Sequence, residues 1–202
     1  NQSGSNSLQQ LLYYSNEKFL LESSEILLTP LRDINKYVLK LNTLDQASDP
    51  ILIYIYVAHL KSSQGSSNED LRLEMVNEFT DDLENLDSNS FVLFAGDFNL
   101  YSSEEPAYQE ILDASNAIVM VDPINTPGTW HNNENFQDIH TQSTRLGSGP
   151  NGGASGGLDD RFDFITISEN MINSYNSYVN SQQDTVISKK RIIRFFKMNS
   201  QS

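Results

Sequence analysis

The stretch ILIYIYVAHL, from Ile51 to Leu60, limits what this chain can fold into more than any other feature. It is β-branched and aromatic with almost no polar break, and it is too short for a membrane helix, which needs about 20 apolar residues. Such a run is expected of a central strand covered on both faces. FVLFAG (Phe91–Gly96) reads as a second core strand and RFDFITIS (Arg161–Ser168) as a third. Between the first two, residues 69–86 place Leu71, Met75, Phe79, Leu83 and Leu86 at spacings of three and four, the apolar stripe of an amphipathic helix. SEEPAYQEILDAS predicts another helix, with Ser103 as its N-cap and Glu104 and Glu105 at its positive end. Strand, helix, strand, helix and strand in one span imply a single layered α/β domain.

The flanks are less regular. Residues 1–10 are rich in Gln, Ser and Asn and read as a disordered or linker segment. LLYY (Leu11–Tyr14) and KFLLES (Lys18–Ser23) read as short strands around a tight turn at Ser15, Asn16 and Glu17, and Lys36–Asn42 as an alternating strand. Residues 122–158 are loop-rich and end in the glycine-dense LGSGPNGGASGG. The tail, residues 169–202, is polar and basic: Lys189, Lys190, Arg191, Arg194 and Lys197 supply five of the 13 basic residues. A solvated terminal helix or non-native sequence is favoured there over a basic end that meets nucleic acid or membrane.

The formal net charge of −14, from 27 acidic and 13 basic residues, argues against passive capture of DNA or an anionic membrane. It leaves a phosphodiester substrate open, because a local cation or a few arginines override the mean field. The absence of cysteine removes disulfides and thiolate metal sites. No apolar window of about 18 residues spans a membrane.

Chemistry-bearing residues cluster at the predicted strand ends. Asp97 and Asn99 follow Gly96, which lets the backbone turn and approach a ligand closely. A carboxylate there can accept a proton from water or hold a metal, and a carboxamide can donate to a phosphoryl oxygen. A turn in which both side chains bond local backbone is the competing account. His59 ends the first core strand and, if the strands are neighbours, emerges at the same rim; alone it reads as a hydrogen-bonded structural group. Asp163, flanked by Phe162 and Phe164, would orient a histidine or pair with Arg161 or Arg145. His131 and His140 lie in loops, and the spacing around His140 argues against zinc.

Taken together, AHLKSS, Arg72 and Glu74 on the following helix, VLFAGDFN and LDDRFDFI resemble the endonuclease/exonuclease/phosphatase superfamily in order and separation. The similarity covers roughly residues 11–168. It implies a four-layer sandwich of the α/β (α+β) type, two packed, mostly antiparallel sheets with helices outside. It implies a metal-dependent phosphodiester hydrolase, most of all a nuclease, with a phosphomonoesterase, a sphingomyelinase or a non-catalytic binding module as alternatives. Position by position, Asp97 would orient or deprotonate the attacking water and weakly ligate Mg²⁺ or Mn²⁺. Asn99 and His59 would hold the scissile phosphate, Asp163 would buttress a catalytic histidine, and Arg32 and Arg145 would contact substrate. The expected partner is a nucleic acid or another phosphodiester, and a secreted or periplasmic setting follows from the same resemblance.

The pattern breaks at both ends. The segments that carry the family's principal metal glutamate and its closing Ser-Asp-His have no match among these 202 residues. The expectation is a chain truncated at both ends, incomplete as a fold and lacking normal activity alone.

Overall fold

In a computed structural model, residues 10–147 and 156–172 are described. The basic tail beyond residue 172, most of the linker at residues 1–9 and the middle of the glycine-dense loop lie outside them. The described residues build one six-stranded mixed sheet in the order β1-β2-β3-β4-β6-β5. The strands are β1 (Phe19–Leu27), β2 (Ile34–Leu41), β3 (Leu52–His59), β4 (Phe91–Asp97), β5 (Met120–Val121) and β6 (Asp163–Ser168). Two α-helices, α1 (Ser66–Leu83) and α2 (Pro106–Ile111), and a 3-10 helix at Glu134–Ile139 accompany the sheet, and residues 169–172 are also helical. Neighbouring strands are antiparallel except β3 and β4, which run parallel. A parallel pair needs a long crossover, and α1 supplies it.

The predicted core strands form where the apolar runs place them. The turn at Ser15 also forms, with Lys18 N–H and Phe19 N–H donating to Ser15 O. Three expectations change. Leu11–Tyr14 is not a strand: it finds no ladder partner, and Leu11 and Tyr13 are exposed. Ser103 does not cap α2; Glu105 is the N-cap residue, Pro106 opens the helix, and Ser103 Oγ accepts from Gly128 N–H at 2.9 Å. Helix α1 ends at Leu83, so Leu86 packs against the core from beyond its end, while Arg72 is buried on the helix.

The core lies on one face of the sheet. Tyr56, Ala58 and Leu60 of the β3 segment, Val92 and Phe94 of β4 and Phe164 of β6 meet Met75, Val76, Phe79 and Leu83 of α1 and Ile111 of α2. Aromatic rings run through it in series: Phe79 stacks on Phe94 at 4.1 Å, Phe94 meets Phe98 at 4.6 Å, and Phe98 stacks on Phe164 at 5.3 Å. Trp130 closes this series, fully buried, its indole N–H donating to Thr126 O at 2.9 Å. Burying such rings is a large share of the hydrophobic driving force.

The opposite face is half-covered. Ile53, Ile55 and Val57 of β3, Leu93 and Ala95 of β4, and Ile165 and Ile167 of β6 are all only partly buried. The expectation that β3 is enclosed on both sides is therefore not met among the described residues, and a second sheet is not among them.

Gly96 holds the centre of the sheet in register. Its φ is 142°, and a Cβ built on it would lie 1.9 Å from the carbonyl oxygen of Ala58, its cross-strand partner. Neither the conformation nor the space admits another residue. Gly96→Ala should therefore destabilise the fold by about 3 kcal/mol or more, read as a lowered midpoint in urea unfolding; an unchanged midpoint would show that the strands can part without cost.

Candidate functional site

The sheet register sets three chemistry-bearing residues in one row. His59 pairs with Asp97 across β3 and β4, and Asp97 pairs with Asp163 across β4 and β6. Residues directly opposite one another on adjacent strands project to the same face. The row thus ends the half-covered apolar face with a histidine and two carboxylates.

Asn99 and Arg32 join the row through one carbonyl. Leu60 O accepts from Arg32 Nη1 at 2.7 Å and from Asn99 Nδ2 at 3.2 Å. Arg32 Nη1 also reaches His59 O at 3.3 Å, while its buried Nε has no partner. Thr29 secures the turn before β2 by accepting from Arg32 N–H and donating to Arg32 O. Asn99 takes a left-handed φ of 50°, a conformation Asn tolerates, and its N–H donates to Asp97 Oδ1 at 3.1 Å. The local turn and the shared rim are thus both present: one oxygen of Asp97 is used by the backbone, and Oδ2 faces His59.

The protonation states follow from burial more than from charge pairing. His59 Nε2 lies 3.7 Å from Asp97 Oδ2, too far for a hydrogen bond. Burial, aided by the nearby Arg32 charge, pushes the His59 pKa down to about 4, so the ring is neutral at pH 7. Burial pushes Asp97 up to about 7; the Asp163 charge adds to this, and the Asn99 N–H and Arg32 oppose it. This contact is therefore not an ion pair at neutral pH. Asp163 is exposed as a residue, yet crowding of its carboxyl pushes its pKa up, and a hydrogen bond from Thr141 opposes that push. The solvent that still reaches it moderates the effect.

Five of the six residues singled out from the sequence thus meet at one rim. Arg145 does not join them: it is exposed in the loop after the 3-10 helix, and the charges acting on Asp97 are those of Asp163 and Arg32. Arg161 is not the partner of Asp163 either. It is buried and bidentate to Asp122, at 2.7 and 2.9 Å, with its guanidinium over the Phe164 ring. Unforeseen from sequence are two further pairings, the buried Arg72 with Glu105 at 2.7 Å and the half-buried His131 with Asp160 at 2.9 Å. The doubled acid of LDDRFDFI was a signal for the second, because only one of Asp159 and Asp160 can face the core side of an extended segment.

The donor set does not make a magnesium or manganese centre by itself. Among the described residues no group of three or more His, Asp or Glu side chains is arranged to hold a metal ion. Asp97 and Asp163 offer two carboxylates, and the expected ion would need ligands beyond those described. Among the same residues no helix is long and apolar enough to cross a membrane.

No family model matches the sequence, and no curated protein matches it. Solved structures do share its fold. The catalytic domain of human nocturnin, solved with a bound sulfate anion, superposes with a TM-score of 0.51 at 18% identity, over 77% of this chain and 50% of that one. A functionally unknown conserved protein from Enterococcus faecalis gives a TM-score of 0.50 at 15% identity, over 77% of this chain and 57% of that one. An endonuclease/exonuclease/phosphatase family protein from Bacteroides thetaiotaomicron reaches 0.46 at 15% identity, over 77% and 53%. The chain thus shares its fold with the nocturnin catalytic domain and the Enterococcus faecalis protein. The chain spans about half the length of the structures it matches.

The raised pKa of Asp97 makes stability depend on pH. An acid whose pKa is near 4 when unfolded and about 7 when folded favours folding fully below pH 4, and that contribution is lost as pH rises through 7. Asp97→Asn, which stays neutral, should match the parent at pH 4 and exceed it at pH 8. The gain is on the order of 1 kcal/mol, discounted because the Asp97 side chain is 37% exposed. Thermal melts at the two pH values check this; a variant less stable at pH 8 would mean that the carboxylate is stabilised there, not strained.

Proposed function

We propose that this chain carries the phosphate-handling half of a phosphoester hydrolase in which an activated water attacks phosphorus. The observation that carries the reading is the row His59–Asp97–Asp163, with Asn99 and Arg32 gathered on the Leu60 carbonyl beside it. Asp97 Oδ2 takes the proton of the water as the new P–O bond forms and the bond from phosphorus to the leaving alcohol's oxygen breaks, that oxygen departing with a proton from solvent; a pKa near neutrality suits this general-base role. Neutral His59 and the Asn99 carboxamide donate to the phosphoryl oxygens, and Arg32 supplies positive charge as negative charge builds up there. Asp163 keeps the proton affinity of Asp97 high by its own charge.

Within this class the sequence motifs favour a nuclease-type phosphodiesterase in a secreted or periplasmic setting, with a phosphomonoesterase or sphingomyelinase as the alternative. A non-catalytic binding module on the same scaffold is the reading from a different class. The two classes separate on one variant. If the rim is catalytic, Asp97→Ala lowers hydrolysis of bis(p-nitrophenyl) phosphate by about 100-fold or more, while phosphate binding changes by only a few fold. A binding module shows no turnover to lose. The parent rate should also rise with pH through about 7 and then level off, as Asp97 ionises; a rate that falls over that range would remove Asp97 as the base.

A further inference from the structure

The antiparallel ladder between β2 and β3 ends at Asn35 and Val57, short of the rim. Two residues further along each strand, the same register would set Asp33 opposite His59. Gln10 bridges the two instead. Its side-chain nitrogen donates to Asp33 O at 3.0 Å and to Val57 O at 2.7 Å, and its side-chain oxygen accepts from His59 N–H at 3.0 Å. Two carbonyls and one N–H surround this carboxamide and fix the way round it sits, since a carbonyl only accepts and an N–H only donates. The Gln10 main chain is held in turn, its carbonyl accepting from Asn35 Nδ2 at 2.8 Å.

Composition leaves Gln10 in the Gln/Ser/Asn-rich linker, but the structure buries it to 9% exposure in the edge of the sheet. A carboxamide withdrawn so far from water is stable only with its hydrogen bonds made. Here it makes three, all to the main chain of β3 or of the residue that precedes β2.

His59 depends on this arrangement. As the last residue of β3 it has its N–H held by Gln10 and its carbonyl by Arg32 Nη1 at 3.3 Å, two side chains in place of a ladder. Arg32 divides itself between His59 O and Leu60 O, and in the proposed scheme it also meets the substrate. Gln10 has no such second task. A donor to a developing oxyanion has to stand within a few tenths of an ångström of its place, and a strand end without its hydrogen bonds frays.

Building on the phosphoester reading, we propose that Gln10 is a positioning residue for that chemistry. It replaces the last rung between β2 and β3 and so sets where the His59 imidazole stands against the phosphoryl oxygens. It touches no reacting atom and acts through the His59 main chain.

The test compares the parent chain with Gln10→Met, which is close in volume but makes none of the three bonds. Amide hydrogen exchange read by NMR should show His59 N–H exchanging about tenfold faster in the variant, the loss of one hydrogen bond. Leu60 N–H, which donates to Asp97 O, should keep its parental protection. Calorimetric titration with inorganic phosphate should show the affinity lowered by about threefold or more. In a His59→Ala background the same substitution should cost nothing further, because its effect passes through the imidazole. Should Gln10→Met fail to fold, Gln10→Ala carries the same measurements. Unchanged exchange at His59, or a loss of affinity that persists without the imidazole, overturns the role. Unfolding of both variants overturns it too, since Gln10 would then support the whole sheet. Phosphate binding that survives Gln10→Met removes the role and leaves the phosphoester reading standing; a parent that binds no phosphate removes that reading, and the role with it.

Discussion

The close approach of the Gly96 backbone to the Ala58 carbonyl is the constraint from which the site follows. A side chain at position 96 would drive β3 and β4 apart, and only that spacing sets His59 opposite Asp97. The same contact continues into Leu60 N–H donating to Asp97 O at 2.9 Å, which locks the strand ends together beyond the regular ladder. Leu60 can then turn its carbonyl to Arg32 and Asn99. Two side chains from distant parts of the chain are thus aimed by one backbone oxygen, which positions them more firmly than packing alone would.

Electrostatics at the rim is decided by dehydration. Were charge attraction dominant, His59 would be protonated and Asp97 ionised, and the two would pull together. Instead burial lowers the first pKa and raises the second, and the groups stand 3.7 Å apart. A neutral imidazole and a carboxyl of near-neutral pKa are reagents for moving protons, whereas a tight ion pair is not. The buried Arg161–Asp122 and Arg72–Glu105 pairs differ in geometry, with side chains in direct contact at 2.7 Å. Arg72–Glu105 ties α1 to the start of α2, and Arg161–Asp122 joins the segment before β6 to the one after β5.

Much of this was legible in the sequence, and for identifiable reasons. Apolar runs such as 51–60 and 91–96 mark core strands because nothing else tolerates them, and the three-four spacing of Met75, Phe79 and Leu83 marks α1 directly. His59, Asp97 and Asn99 could be named because each sits at or just past the end of such a run, Asp163 because it is an acid between two phenylalanines, and Arg32 through the motif resemblance. What was not legible depended on tertiary partners. LLYY has strand composition but no neighbour to pair with, and Ser103 has cap chemistry that is taken by Gly128. Arg32 shares its chemistry with Arg145, and its place at the strand end is set by hydrogen bonds to the His59 and Leu60 carbonyls. The His131–Asp160 pair joins residues 29 apart through loops, where periodicity carries no information. The enclosure expected of β3 fails because composition reports that a face is apolar, not what lies against it.

Asn99 N–H does more than shape a turn. By holding Oδ1 of Asp97, it makes the two oxygens of one carboxylate inequivalent: one is spent on the main chain, and the other alone is open toward the imidazole side. A carboxylate free to rotate would receive a proton from any direction. This one presents a single open oxygen, on a bearing set by the backbone.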